Sequence, residues 1–317
     1  MTTIVLSALV RPLLEAQLPA GLDVRWFMTK EEAFALAPDA EIGWFDMYDK
    51  ADMAEAIARA SSMKWLNSIY AGVDGMPLDL LKERGVTFTN GVGINAITIA
   101  EYVVMGMLTV AKGFREVIRA QERREWLTDS PGKVELFGSK ALILGYGAIG
   151  SLVEERLKAF NVDVTVVRRT PGPNTLSPDQ WRARLGEFDW IILAVPATSE
   201  TDKMIGAAEL TAMKPSATII NIARGSVIDQ NALVSALQAK TIGTAFLDVT
   251  DPEPLPEGHP LWSLDNAHVT MHLSGRAQDK MFARSAQRFL ENLERYRSGT
   301  PLLHQVNLAL GRSEGHV

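Results

Sequence analysis

Lys140-Ala141-Leu142-Ile143-Leu144-Gly145-Tyr146-Gly147-Ala148-Ile149-Gly150 decides how the rest of the chain is read. A short apolar run gives way to three glycines in G-x-G-x-x-G spacing. A helical pattern follows at Leu152, Val153, Arg156, Leu157 and Phe160. Gly145 permits the tight turn out of a strand, and Gly147 lets a pyrophosphate approach the backbone. Gly150 lets the helix lie close to the strand, and the free N–H groups and positive dipole end of that helix face the phosphates. Glycine-rich turns are common in loops. The strand before and the helix after are what make this one a dinucleotide-binding turn.

The next strand, Asp163-Val164-Thr165-Val166-Val167, ends in Arg168-Arg169-Thr170. An NAD-type site expects an acid about 20 residues beyond the glycines, on the ribose 2′-OH. No acid ends this strand. A pair of guanidinium forks suits a 2′-phosphate instead, so NADP is expected in preference to NAD, with NAD possible.

The chain has 317 residues, a length suited to two domains. Hydrophobic residues make up 47% and charged residues 22%, the proportions of a globular protein. Lys and Arg number 32 against 38 Asp and Glu, a net charge of −6 that argues against a nucleic-acid partner. There is no cysteine, which excludes disulfides, thiolate metal sites and a cysteine nucleophile, and fits a cytoplasmic location. No metal is expected. The opening run Met1 to Leu6 has no basic leader, so no signal peptide is expected. The apolar stretch from Ile97 to Val110 is interrupted by Glu101 and Gly106 and is too short for a bilayer, so no membrane partner is expected.

Apolar runs at Ile4–Ser7, Leu22–Trp26, Ile42–Phe45, Lys64–Ser68 and Val86–Asn90 alternate with helical segments in the first 95 or so residues. Such alternation implies a parallel sheet covered on both faces. Thr98 to Glu125 reads as one helix, with Ile99, Tyr102, Val103, Met107, Val110 and Phe114 at helical spacing. Beyond the glycine turn, strands at Trp190–Pro196, Ala217–Ala223, Gly243–Val249 and Ala267–Met271 each run into a polar loop, and Asp279 to Tyr296 is a last amphipathic helix. Ligands of a doubly wound sheet sit beyond the carboxyl ends of its strands. Arg224, Glu253 and His272 each follow such an end and are expected to converge.

In order and spacing, these pieces resemble the D-2-hydroxyacid dehydrogenase family over nearly the whole chain. The matching motifs are the Gly145–Gly150 turn, Asn221-Ile222-Ala223-Arg224-Gly225, the run from Asp248 to Pro256, and His272-Leu273-Ser274-Gly275. Tyr70-Ala71-Gly72-Val73-Asp74 and Thr89-Asn90-Gly91-Val92-Gly93 match in the first part. Where the family usually has proline before the catalytic histidine, this chain has Met271. The resemblance implies an α/β protein of two Rossmann-like domains with parallel sheets, one flavodoxin-like and one dinucleotide-binding, with the active site in the interdomain cleft. Residues 1–97 with 280–317 would form a discontinuous substrate-binding domain, and residues 98–279 the NAD(P)-binding domain. A homodimer is implied as well. The cofactor residues it implies are Gly145, Tyr146, Gly147, Ala148, Ile149, Gly150, Arg168, Arg169, Thr170, Val195, Pro196, Ile222, Ala223, Arg224, Asp248, His272, Ser274 and Gly275.

Roles follow from side-chain chemistry. His272 can give a proton to a substrate ketone or take it back from the hydroxyl. Glu253 would hold that imidazole and favour its charged form. Arg224 offers a planar fork to the carboxylate and carbonyl of a 2-oxoacid, and the N–H groups of Gly72 and Val73 would bind the other side of the carboxylate. Trp44, Phe45, Tyr70, Ala71 and Trp126 are candidates to line the substrate site. His259, His268 and His304 read as structural. The best match within the family is its NADP-dependent glyoxylate/hydroxypyruvate reductase branch, reducing a small 2-oxoacid to the D-2-hydroxyacid. The alternative on the same fold is a non-enzymatic NAD(P) sensor or co-repressor. S-adenosylmethionine binding is disfavoured, because it needs neither Arg224 nor the His272–Glu253 pair.

Overall fold

The structure is a computed structural model. It describes every residue except Asp74, Arg169, Thr170, Pro171, Pro173, Asn174, Ala277, Leu310, Gly311 and 314–317, and the side chains of Gln278, Asp279, Arg312 and Ser313. The chain divides into two compact units, Met1–Asn95 with Ala277–Val317 and Ala96–Arg276.

The sheet of the first unit contains β1 (Thr3–Ser7), β2 (Asp23–Phe27), β3 (Ile42–Trp44), β4 (Trp65–Asn67) and β5 (Thr87–Thr89). Their order is β2-β1-β3-β4-β5, every pair parallel. That is the flavodoxin-like doubly wound order. Period-two alternation sends Ile4 and Leu6 to one face, with Trp44, Trp65 and Phe289, and Val5 to the other, with Phe45, Met53 and Ile57. Both faces are buried, which is why these strands read as near-continuous apolar runs. Phe289, from the helix Gln278–Ser298, stacks on Trp65 with ring centroids 5.1 Å apart.

The second unit holds β6 (Lys140–Leu144), β7 (Asp163–Val167), β8 (Thr175–Leu176), β9 (Trp190–Leu193), β10 (Thr218–Asn221), β11 (Thr244–Leu247) and β12 (Ala267–Val269). The order is β12-β11-β10-β9-β6-β7-β8, again parallel throughout. The order reverses between β6 and β9, and ligands of open α/β sheets sit at such a switch point. Leu142 and Leu144 feed one core, while Ala141 and Ile143 feed the opposite one under the helix Ala96–Ala111.

The single helix expected over Thr98–Glu125 is two. Ala96–Ala111 and Phe114–Arg123 meet at an angle of 66°. Gly113 stands between them at φ 60°, and a Cβ there would lie 2.7 Å from the backbone of Pro131. The apolar period runs through the break unchanged, so periodicity alone could not show it. The short strand β8 had no apolar run long enough to read.

Candidate active site

The turn after β6 gives its three glycines three different tasks. Gly145 has φ 98°, and a Cβ on it would lie 2.5 Å from the carbonyl oxygen of Ala194, just beyond β9. A side chain on Gly150 would meet the Gly145 carbonyl oxygen at 2.3 Å, so helix and strand approach as close as glycine allows. Nothing stands within 4 Å of a Cβ on Gly147, so the approach to its backbone is open. The helix Ala148–Ala159 begins there, and its first intrahelical bond is from Ser151 N to Gly147 O, 3.0 Å. The N–H groups of Ala148, Ile149 and Gly150 therefore lack intrahelical acceptors and carry the positive end of the helix dipole.

Tyr146, inside this turn, donates its hydroxyl to Glu154, and that carboxylate raises the phenol above its ordinary range, so it stays protonated. Its ring lies under the guanidinium of Arg168, 5.3 Å from centroid to Cζ. A cation thus stands beside the glycine turn at the end of β7. Arg169 and Thr170, expected to share that task, lie outside the described residues. Across the switch point, Val195 is half-buried and Pro196 exposed, its carbonyl accepting from Thr201 Oγ1 at 2.6 Å. Ile222 and Ala223 are buried beyond β10.

Arg224 follows immediately. Asn221 holds its turn, with Nδ2 donating to Arg224 O at 2.9 Å and Oδ1 accepting from Ala223 N at 3.0 Å. The guanidinium donates to Ala223 O at 2.8 Å. Gly225 packs so closely that a Cβ would lie 2.0 Å from Thr250 O, which ties this turn to the loop after β11.

That loop carries Glu253. Its Oε1 accepts from Thr250 N at 3.1 Å, and its Oε2 stands 2.8 Å from His272 Nδ1. A carboxylate only accepts, so Nδ1 carries the proton and Nε2 is the ring's other face. Both side chains are about two-fifths to one-half exposed. Gln230 steadies the same loop. Its amide donates to Asp251 O at 2.7 Å and accepts from Asp251 N at 3.0 Å, as a strand partner would. Nothing in the sequence pattern marked Gln230.

His272 itself is fixed by Asp248, which is 1% exposed. The carboxylate accepts from Thr270 Oγ1 at 2.8 Å, Leu273 N at 2.9 Å and Ser274 N at 3.1 Å, and its carbonyl from His272 N at 2.6 Å. Asp248 thus turns to the loop it holds, and Ser274 is buried on it. Gly275, next in the loop, is half-buried. Met271 and His272 have φ 55° and 57°. L residues rarely take this left-handed conformation, and a proline cannot.

The substrate candidates of the first unit separate by burial. Tyr70 is 43% exposed, in a loop with Ala71, Gly72 and Val73. Trp44 is 2% exposed and packs on Phe289 with its indole N–H on Asp46. Phe45 is buried as well. Trp126, in the second unit, is 92% exposed. Both faces of the first unit's sheet are buried, so Trp44 and Phe45 pack into opposite cores, and a three-residue strand does not show that in sequence. No single helix among the described residues is long and apolar enough to cross a membrane.

Residues 104–274 match the model of the D-isomer specific 2-hydroxyacid dehydrogenase family's NAD-binding domain. The chain is 30% identical over 258 residues to a glyoxylate/hydroxypyruvate reductase B of Yersinia pestis, covering 78% of each. It is also similar to the crystal structure of a D-isomer specific 2-hydroxyacid dehydrogenase family protein from Aeromonas salmonicida, at 30% identity and TM-score 0.87, covering 97% of this chain and 99% of that one. A D-isomer specific 2-hydroxyacid dehydrogenase from Xanthobacter autotrophicus, solved with NADPH and MES, is 27% identical with TM-score 0.76, covering 98% and 99%. The chain spans only about half the length, 55% and 50%, of the archaeal D-3-phosphoglycerate dehydrogenases it also matches.

Proposed function

Because the chain belongs to the D-isomer specific 2-hydroxyacid dehydrogenase family, and is therefore an oxidoreductase with an NAD-binding domain, we propose that it reduces a small 2-oxoacid such as glyoxylate or hydroxypyruvate to the D-2-hydroxyacid, with NADPH as the preferred reductant. The observation that carries this reading is the His272–Glu253 pair at 2.8 Å, on a loop fixed by buried Asp248.

The residues fit a dinucleotide. The open approach to Gly147 and the free N–H groups of Ala148, Ile149 and Gly150 would hold a pyrophosphate. Arg168, beside that turn on Tyr146, would meet a ribose 2′-phosphate. When bound, the reduced nicotinamide supplies the hydride. His272 supplies the proton. Its Nδ1–H stays on Glu253, which fixes the ring and stabilises its charge, and Nε2 delivers the proton to the carbonyl oxygen of the substrate. Arg224 orients the oxoacid by its planar donor fork. The N–H groups of Gly72 and Val73 are proposed as carboxylate donors, and a homodimer in the cytoplasm as the form of the protein.

Turnover decides between this reading and a sensor. NADPH oxidation by glyoxylate or hydroxypyruvate is expected, with kcat/KM for NADPH above that for NADH on the order of 10²-fold, as two charge-assisted contacts with a phosphate would give. Arg168→Asp with Arg169→Ala should reverse much of that ratio. NADPH binding without turnover of any 2-oxoacid would favour the sensor, and an unchanged ratio in the double variant would remove the arginines from the cofactor site.

A further inference from the structure

The loop Tyr70-Ala71-Gly72-Val73 begins beside a half-buried carboxylate that no motif marks. Asp46 lies just past β3, next to the end of β4. Its Oδ2 accepts from Trp44 Nε1 at 2.6 Å and from Ile69 N at 2.5 Å, and its Oδ1 accepts from Ser68 Oγ at 2.6 Å. The Ser68 hydroxyl in turn accepts from Tyr70 N at 3.1 Å. So two of the three residues that lead into the loop are bound directly to one carboxylate, and the third, Tyr70, is bound to it through Ser68.

The loop's other side is held from the end of β5. Gly91 N donates to Tyr70 O at 2.8 Å, and Asn90 Nδ2 donates to Ala71 O at 2.6 Å. Tyr70 also reaches back past Asp46, donating its hydroxyl to Met47 O at 3.2 Å. The carboxyl ends of three neighbouring strands therefore fix the backbone on which Gly72 and Val73 sit, and Asp46 is the one anionic member of that set. Among the described residues, the groups that donate to it are the Trp44 indole, the Ser68 hydroxyl and the Ile69 N–H. Burial pushes its carboxyl up to about 6 against those three donors. A carboxylate drawn partly out of water is costly, and three convergent donors offset that cost. A hydroxyl or an amide would be the cheaper choice if only packing were needed.

We infer that Asp46 is a positioning residue that sets the backbone of the Tyr70–Val73 loop through Ser68 and Ile69, and thereby the affinity for the carboxylate of the oxoacid. This rests on the reading that the N–H groups of Gly72 and Val73 bind that carboxylate.

Four variants test it on the full chain, each with KM for glyoxylate, kcat, NADPH affinity by fluorescence quenching, and far-UV circular dichroism. Asp46→Ala removes the acceptor of all three donors. KM should rise by about tenfold, the loss expected for one charge-assisted hydrogen bond, with kcat and NADPH affinity within about twofold of wild type. A merely structural role would instead reduce the active fraction and so lower kcat at constant KM. Asp46→Asn can keep Trp44 and Ile69 on its oxygen and donate its amide to Ser68, so its KM should return to within about threefold of wild type. Ser68→Ala cuts the relay to Tyr70 with little change in volume, and decides the matter if Asp46→Ala does not fold. Val73→Pro deletes one proposed donor and tests the underlying reading. If Val73→Pro raises KM while Ser68→Ala and the Asp46 variants leave it unchanged, the loop binds substrate and Asp46 does not set it. If Val73→Pro leaves KM unmoved, the loop reading fails and the inference falls with it.

Discussion

The two parallel sheets of this chain, of five and seven strands, share one construction and differ at the turn that leaves the first strand. In each, parallel strands run outward from a switch point, with both faces buried. In the second unit, β6 leaves its sheet through Gly145 at φ 98° and enters a helix whose first N–H groups have no intrahelical partner. In the first, β1 leaves through Ser7 at φ −62°, whose hydroxyl caps the short turn Ala8–Val10 at Leu9 N, 3.4 Å away. The side chain takes the donor that a phosphate would need. Fold alone does not make a nucleotide site. The turn does.

The largest expected effect lies in chemistry, and it tests whether the reaction depends on the second unit's loops. His272→Ala should lower kcat by about 10²–10⁴, the usual loss for a general acid, while NADPH affinity stays within about twofold. Rate and nucleotide fluorescence measured on one sample check both halves. A variant with near-wild-type turnover would remove His272 from the reaction. Next in size is the turn itself. Gly145→Val places a Cβ 2.5 Å from Ala194 O at a left-handed φ, so NADPH affinity should fall by at least about 10²-fold, with a lower Tm. Ser7→Gly, at the matching turn of the first unit, should cost at most about 1 kcal/mol as a lost cap and leave nucleotide binding alone. Equal effects from the two would break the comparison.

How the units answer to pH sharpens it further, because their perturbed groups have opposite signs. Asp46 in the first unit is raised by burial from 3.8 to about 6. Its contribution is fully present below the ordinary value and is lost as pH rises through 6. His268 in the second unit is lowered from 6.5 to about 4, first by burial and then by Arg115 and Arg119. Its contribution is present above 6.5 and is lost as pH falls through 4. Each shift corresponds to roughly 3 kcal/mol before screening and less once solvent is allowed for. Between pH 4 and 6.5 the two slopes oppose, and the whole chain would show little of either. Thermal unfolding at pH 5 and pH 7.5 should therefore reveal them only in variants. Asp46→Asn should stabilise at pH 7.5 relative to pH 5, and His268→Gln should do the reverse, each by a few degrees. The same sign in both would show that burial is not what shifts them.

Much of this arrangement was legible in the sequence, and the limits are specific. Alternating apolar runs gave both sheets, and strand-end logic put Arg224, Glu253 and His272 after β10, β11 and β12, where they stand. The G-x-G-x-x-G spacing assigned one glycine to the turn and another to close packing, and Gly145 and Gly150 occupy those places. What could not be read was set by tertiary contact. The bend at Gly113 depends on the nearby Pro131 backbone, and the depth of Trp44 on Phe289, 245 positions away. Asp46 and Gln230 hold loops by hydrogen bonds to backbone, which leaves no pattern of residue types, and the motif that marked Asp248 did not show that it holds the His272 loop. A lone acid directly after a buried strand end, as at Trp44-Phe45-Asp46, was the one available signal.

The smallest effect concerns Met271, where the chain has left the family's usual residue. Among the described residues, non-glycine positive φ values fall in the second unit at Arg124, Asn161, Lys203, Lys240, Met271 and His272, and in the first at His304. Only Met271 and His272 are adjacent, and both lie on the loop that Asp248 holds. A left-handed conformation costs an L residue of order 1 kcal/mol. Met271 is 60% exposed, so little burial offsets that strain. The strain persists because His272 N is held on Asp248 O at 2.6 Å and Leu273 N on the Asp248 carboxylate. Met271→Gly relieves it but loosens the unfolded chain by about the same amount, so Tm should stay within about 2 °C and kcat within about twofold. Met271→Pro cannot keep φ 55°, since the ring fixes φ near −65°. It must either pull His272 off Asp248 or reshape the loop, and kcat should fall several-fold at nearly constant NADPH affinity. Unchanged kcat and Tm in Met271→Pro would mean that the loop reaches its working shape without the left-handed pair, and that Met271 is a neutral replacement for proline.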